Sequence, residues 1–191
     1  MGVDPLKKPA VFLDRDGVLN ANRVEGGTTR PPESADALEI LPGVPEALAK
    51  LRAAGFALVV VTNQPDVARG KQTRVEAEAI NDKLRSLVEV DAVFACFHDD
   101  ADRCACRKPK PGLLLDAAAR LGLDAAASFI VGDRWSDVEA GRAAGCRTFL
   151  VATPFSRAER CTPDFTVSGL LEAADKILAL VTSSTTLSEA R

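Results

Sequence analysis

At 191 residues, with 47% apolar and 27% charged side chains, the chain has the size and composition of one globular domain with a core of its own. A net charge of −3 with one tryptophan and no tyrosine argues against a surface for nucleic acid or anionic membrane. No apolar run approaches the roughly 20 residues needed to span a bilayer, and MGVDPLKKPA holds neither a signal-peptide core nor a myristoylation pattern, because Pro5 and Lys7 intrude.

Residues 11–13, Val-Phe-Leu, read as a buried strand that delivers Asp14 and Asp16 at its C-terminal end, followed by Gly17. Two carboxylates on one side of an extended segment can share a hard cation such as Mg²⁺, which favours carboxylate oxygens together with substrate phosphate. With repulsion quenched, one of them can attack phosphorus and form an aspartyl-phosphate. Taken alone, the pair is an ordinary turn. Residues 21–34 show no helical or strand period and are long for a connecting loop, which predicts a lid or specificity loop.

Leu41-Pro42-Gly43 opens a helix with Val44, Ala47, Leu48 and Leu51 inward and Gly55 at its end. Residues 57–61 are a second strand, ending in Thr62-Asn63-Gln64. A capping box from Thr73 to Glu76 starts the next helix, with Val75, Ala79, Ile80, Leu84, Leu87 and Val88 on its apolar face. Residues 93–97 make a third strand. After Lys110-Pro111-Gly112 a helix turns Leu114, Ala117, Ala118 and Leu121 inward, and residues 129–131 form a strand ending in Gly132-Asp133. A second capping box, Ser136 to Glu139, opens a helix that stops at Gly145. Strands follow at 148–151 and 165–167. Ser168 caps a last amphipathic helix through Val181, and residues 182–191 read as a polar, frayed tail. Strands alternating with helices imply one parallel sheet covered on both faces, hence a single α/β domain over residues 1–181.

In such a sheet Asp14, Asp16, Thr62, Asn63 and Asp133 gather at one edge. Thr62 and Asn63 can donate hydrogen bonds to phosphate, and the basic run from Arg107 to Lys110 supplies the cation that phosphoryl transfer needs. A second cluster holds Cys96, His98, Cys104 and Cys106, three of the five cysteines and the only histidine. This is the composition of a closed structural zinc site, and it suits a reducing, cytoplasmic compartment better than a disulfide framework does. Such a site would pin its loop and aim Arg107 and Lys108. The competing reading is a lone core histidine with buried thiols.

DRDGVLN, VVVTNQ, RKPKPG and VGDRWSD resemble, in order and separation, the four motifs of the haloacid dehalogenase-type phosphatases, over about residues 10–152. The resemblance implies a Rossmann-like fold. It implies Asp14 as nucleophile, Asp16 as general acid and base, Thr62 and Asn63 as phosphate ligands, and Lys108 as the neutralising cation. It implies Mg²⁺ held by the Asp14 carboxylate, the Asp16 main-chain carbonyl and Asp133, with Asp137 orienting neighbours or capping its helix. The zinc loop is similar to that of the capless branch containing the heptose-1,7-bisphosphate 7-phosphatases and the histidinol-phosphate phosphatases. That branch implies action on a small phosphorylated sugar, with heptose 1,7-bisphosphate cleaved at C7 as the substrate and histidinol phosphate as the alternative; the chain is expected to be a monomer. Arg107 would contact the distal phosphate, with Arg69 and Lys71 near the site. A zinc-stabilised binding module with structural carboxylates is the non-enzyme alternative.

Overall fold

The computed structural model describes residues 7–156 and 160–189, the last six by backbone alone; Gly2 and Pro5, on which the lipid-anchor expectation rests, lie outside them. Six strands, β1 (Lys8–Leu13), β4 (Ala57–Asn63), β5 (Ala92–Cys96), β6 (Leu123–Gly132), β7 (Arg147–Val151) and β8 (Phe165–Val167), form one sheet. Their order is β5-β4-β1-β6-β7-β8, and every neighbouring pair is parallel. The inner strands are continuous apolar runs because a strand covered on both faces has no wet side to present. Side chains alternate between the two layers. Val11 and Leu13 join the core shared with α1 (Val44–Ala53), α2 (Arg74–Leu87) and α5 (Leu170–Glu189). Ala10 and Phe12 pack with α3 (Gly112–Leu121) and α4 (Trp135–Ala144).

The chain leaves β1 toward β4 but leaves β6 toward β7, so connections diverge between two neighbouring strands and open a crevice at their carboxyl ends. Asp14 and Asp133 are the first residues past those two ends. The sequence thus places its acidic residues at the one point of the sheet where loops part.

Residues 21–34 depart from expectation. Arg23–Glu25 (β2) and Thr28–Arg30 (β3) pair antiparallel around Gly26 and Gly27, whose φ values are 56° and 72°. A two-residue hairpin turn with both central residues at positive φ needs two successive left-handed residues, and glycine adopts them without strain. On α2 the buried face is Ala77, Ile80, Asn81 and Leu84, while Val75, Ala79 and Leu87 are exposed. The face is rotated because Asn81 turns inward to accept a hydrogen bond from the fully buried Arg15, Nη1 to Oδ1 at 2.7 Å. Leu121 is exposed at the end of α3, where the chain turns through Gly122. The start of α4 is capped by the Arg134–Asp137 pair, not by Ser136 and Glu139, with Asp137 Oδ2 accepting from Arg134 N at 3.0 Å. The helix α5 continues beyond Val181 to Glu189, where Thr182 and Ser183 hydrogen-bond the carbonyls of Leu178 and Ala179 (2.9 and 2.8 Å) and so remain compatible with helix.

Candidate active site

Asp14 is fixed at the end of β1 by its N–H, which donates to Val131 O at 2.9 Å. Lys108 reaches it from the turn after the Cys/His cluster. Its Nζ donates to Asp14 Oδ1 at 2.9 Å and to Val61 O at 2.7 Å, and it pairs with Asp137 Oδ1 at 2.5 Å. All of these side chains are buried, Lys108 being 3% and Asp137 1% exposed. Burial works against the ammonium charge, yet Asp137 and Asp14 hold Lys108 protonated above its ordinary value.

The carboxylates of Asp14, Asp133 and Asp137 offer oxygens within 4.8 Å of one another. Burial, reinforced by Asp137 and Asp16, pushes Asp14 up to about 6 despite Lys108. Burial, with Asp14 and Asp137 beside it, pushes Asp133 well above the carboxylate range. Three buried acids share one buried lysine, with only Arg134 Nε added at 3.5 Å from Asp133 Oδ1, and are short of positive charge; Asp137 Oδ1, although beside Lys108, makes no well-directed hydrogen bond. A hard divalent cation with oxygen ligands fits this set. Gly17 keeps the space open: its φ is +87°, and a Cβ there would stand 2.3 Å from Asp133 Oδ2.

Asp16 does not share that cluster, contrary to the expectation of a cation held between two side chains of the DxD pair. Its carboxylate lines the same cleft but turns to four donors: Arg15 Nε and Nη2 (3.1 and 3.0 Å), Asn20 Nδ2 (3.0 Å) and Gln64 Nε2 (2.8 Å). Burial alone would favour its neutral form, but the charge and hydrogen bonds of Arg15, with Asn20 and Gln64, hold Asp16 below the usual carboxylate range. The two acids, two residues apart, are therefore driven in opposite directions. Such divergence is how a site assigns different duties to like groups.

Thr62 is buried at the end of β4 and accepts from Gln64 Nε2 at 2.8 Å. Asn63 is a strut for the lysine turn and not simply a phosphate hook. Its amide donates to Lys108 O at 3.0 Å and accepts from Lys108 N at 3.2 Å, which leaves one amide N–H for a ligand.

The second cluster assembles as the sequence anticipates. Cys96, His98, Cys104 and Cys106 present Sγ–Sγ separations of 3.2, 3.5 and 3.8 Å, and His98 Nδ1 lies 3.3 and 3.6 Å from the Cys106 and Cys96 sulfurs. Tetrahedral zinc, with Zn–S of about 2.3 Å and Zn–N of about 2.0–2.1 Å, sets sulfurs about 3.8 Å apart and sulfur to nitrogen about 3.6 Å. The four donors thus form a cage of zinc size, slightly contracted. Lys110 Nζ ties the loop by donating to the carbonyls of Arg103 and Cys104 at 3.1 and 2.6 Å.

Arg69 and Arg107 both line the cleft, as expected of substrate contacts, but their guanidiniums are engaged by acids of the zinc loop. Arg69 forks onto Asp99 (2.8 and 2.6 Å), and Arg107 Nε donates to Asp100 Oδ1 at 2.7 Å. Lys71 does not line this cleft. Sequence reasoning missed Asn22, whose amide donates to Asp133 Oδ2 at 3.3 Å, and the cleft residues Arg30, Asp66 and Arg134. It also missed the buried brace of Arg15, Asn20, Gln64 and Asn81. Asn20 and Gln64 stood inside recognised motifs, and an asparagine among apolar positions was the available signal for Asn81.

A family profile described as HAD-hyrolase-like matches residues 105–173. The D-glycero-beta-D-manno-heptose-1,7-bisphosphate 7-phosphatase of Escherichia coli (strain K12) is 41% identical over 152 residues, spanning 73% of this chain and 76% of that protein. The chain belongs to the haloacid dehalogenase-like phosphatases. The same-named protein of Salmonella typhi is 40% identical over 152 residues, 73% of this chain and 78% of its own length. A crystal structure of the D,D-heptose 1,7-bisphosphate phosphatase from B. bronchiseptica, complexed with magnesium and phosphate, matches with a TM-score of 0.77 at 36% identity, covering 90% of this chain and 98% of the other. The D,D-heptose 1,7-bisphosphate phosphatase from Burkholderia thailandensis matches with a TM-score of 0.64 at 28% identity, over 90% of this chain and 99% of the other. This haloacid dehalogenase-like phosphatase is a phosphoric monoester hydrolase on an α/β fold. None of the helices among its described residues is long and apolar enough to cross a membrane.

Proposed function

We propose that this phosphatase is a single-domain, Mg²⁺-dependent enzyme that removes the C7 phosphate of D-glycero-D-manno-heptose 1,7-bisphosphate through an aspartyl-phosphate on Asp14. The observation that carries the reading is the buried contact of Lys108 with Asp14 and Asp137, beside Asp133, at the point where the sheet's loops diverge. Substrate class follows from about 40% identity to proteins that bear this activity in their names.

Asp14 and Asp133, with the Asp16 main-chain carbonyl, would hold Mg²⁺, and Asp137 stands within reach of the same position. When bound, the cation draws charge from the phosphate oxygens and lowers their repulsion toward Asp14. Lys108 Nζ exchanges its Asp14 oxygen for a phosphate oxygen and neutralises charge that spreads over the transferring group. The remaining Asn63 amide N–H and the Thr62 hydroxyl orient that group. An Asp14 oxygen then attacks phosphorus, the bond to the sugar oxygen breaks, and Asp16, having taken up a proton, delivers it to that oxygen. In the second half Asp16, ionised again, takes a proton from water as the water oxygen attacks phosphorus, which frees Asp14 and inorganic phosphate. The four donors on Asp16 stabilise the ionised form that this second half requires. The zinc cage holds the loop that leads directly into Arg107 and Lys108.

Phosphate release from α- and β-heptose 1,7-bisphosphate and from histidinol phosphate, each with Mg²⁺, tests the reading, with Asp14→Asn as control. The proposal expects a heptose bisphosphate to be preferred and the variant to be folded but inert. Preference for histidinol phosphate overturns the substrate. Turnover by Asp14→Asn overturns Asp14 as the nucleophile, and release from none of these substrates by the natural chain overturns the substrate class.

A further inference from the structure

We propose that Arg30, on the β2–β3 hairpin, selects substrates carrying a second phosphate distal to the one transferred to Asp14; this rests on the phosphatase reading above. Arg30 lines the same cleft as Asp14, Asp16 and Lys108, as do three other guanidiniums, those of Arg69, Arg107 and Arg134. Those three are committed. Arg69 and Arg107 are hydrogen-bonded to Asp99 and Asp100. Arg134 donates to Phe155 O at 3.0 Å and to the Thr29 hydroxyl.

Arg30 differs. Among the described residues its partners are Glu25 at 3.7 Å and Asp66 at 3.8 Å, both beyond hydrogen-bond range, and Asp66 is shared with Arg69 at 3.5 Å. Long, partly exposed ion pairs of this kind contribute little and yield readily to a better acceptor. A phosphate is that acceptor, because two of its oxygens match the planar guanidinium fork and form charge-assisted bonds.

Arg30 is also held in place. The strands of its hairpin are in fixed register, Arg23 opposite Arg30, and the adjacent Thr29 is gripped by Arg134, the neighbour of the acidic residue Asp133. The scissile phosphate engages Lys108 at the floor of the cleft. A monophosphate leaves Arg30 with its weak carboxylates, whereas a bisphosphate supplies the partner it lacks.

The test compares kcat/KM for heptose 1,7-bisphosphate and heptose 7-phosphate in the natural chain, Arg30→Met and Arg30→Lys, with melting temperatures recorded for all three. The ratio of the two constants does not depend on the fraction of protein folded. It is expected to fall about tenfold or more in Arg30→Met, chiefly through KM for the bisphosphate, the scale of a lost charged hydrogen bond, with Arg30→Lys in between. A ratio within twofold of the natural value overturns the role of Arg30. Failure of the natural chain to release phosphate from either sugar overturns the heptose-phosphate reading on which this rests, so the two failures are told apart.

Discussion

Replacing Lys108 by Met keeps the length and apolar stem of the side chain and removes its charge. The ammonium touches Asp14 at 2.9 Å and Asp137 at 2.5 Å and satisfies Val61 O at 2.7 Å, with almost no solvent to screen it. Removing one partner of a buried ion pair costs about 3–5 kcal/mol, because the charge left behind is uncompensated. For a chain of this size that is a fall of roughly 6–20 °C in melting temperature. Proton uptake by Asp14, already raised to about 6, offsets part of the loss as pH falls toward that value, and saturating Mg²⁺ should restore part of it near neutrality. The assay is thermal melting at neutral pH in chelator and in Mg²⁺, alongside turnover. A loss of about 10²–10³ in kcat is expected from deleting one stabilising donor. Melting of Lys108→Met within about 1 °C of the natural chain in chelator would show that the three carboxylates do not form the compressed, lysine-dependent cluster from which the mechanism is built.

Two further outcomes follow from the metal sites. Asp14 must be ionised to bind a cation and is protonated below about 6, so calorimetric Mg²⁺ affinity should be about tenfold weaker near pH 5 than near pH 7.5, with proton release on binding; a pH-independent affinity would contradict that. Freshly purified, reduced protein should carry about one zinc per chain, and chelation or Cys104→Ser should lower both melting temperature and kcat. Without metal, burial pushes the Cys96 thiol up to about 12, so stripped protein should reload slowly at low pH; an absence of zinc in fresh protein contradicts the cage.

The sheet was legible because its central strands are uninterrupted apolar runs, and their polar ends therefore announced the edge where Asp14, Thr62 and Asp133 meet. The cage was legible from composition alone. The hairpin was not, since Arg23–Glu25 and Thr28–Arg30 are short, polar and largely exposed, with Gly26-Gly27 as their one local mark. The phase of α2 was misread because a buried arginine draws Asn81 inward, a tertiary demand that overrides apolar periodicity. The double engagement of Asp137, capping α4 through one oxygen and meeting Lys108 through the other, likewise depends on a residue distant in sequence. Pairings across such separations, Asp16 with Gln64 or Asn63 with Lys108, are set by topology and leave no local pattern.

The covalent step is open to direct capture. Rapid quenching during turnover of the heptose bisphosphate, followed by borohydride reduction and peptide mass spectrometry, converts an aspartyl-phosphate into homoserine at the residue that carried it. The account predicts homoserine at position 14. Conversion at any other carboxylate, or sustained phosphate release with position 14 unmodified throughout, would contradict it.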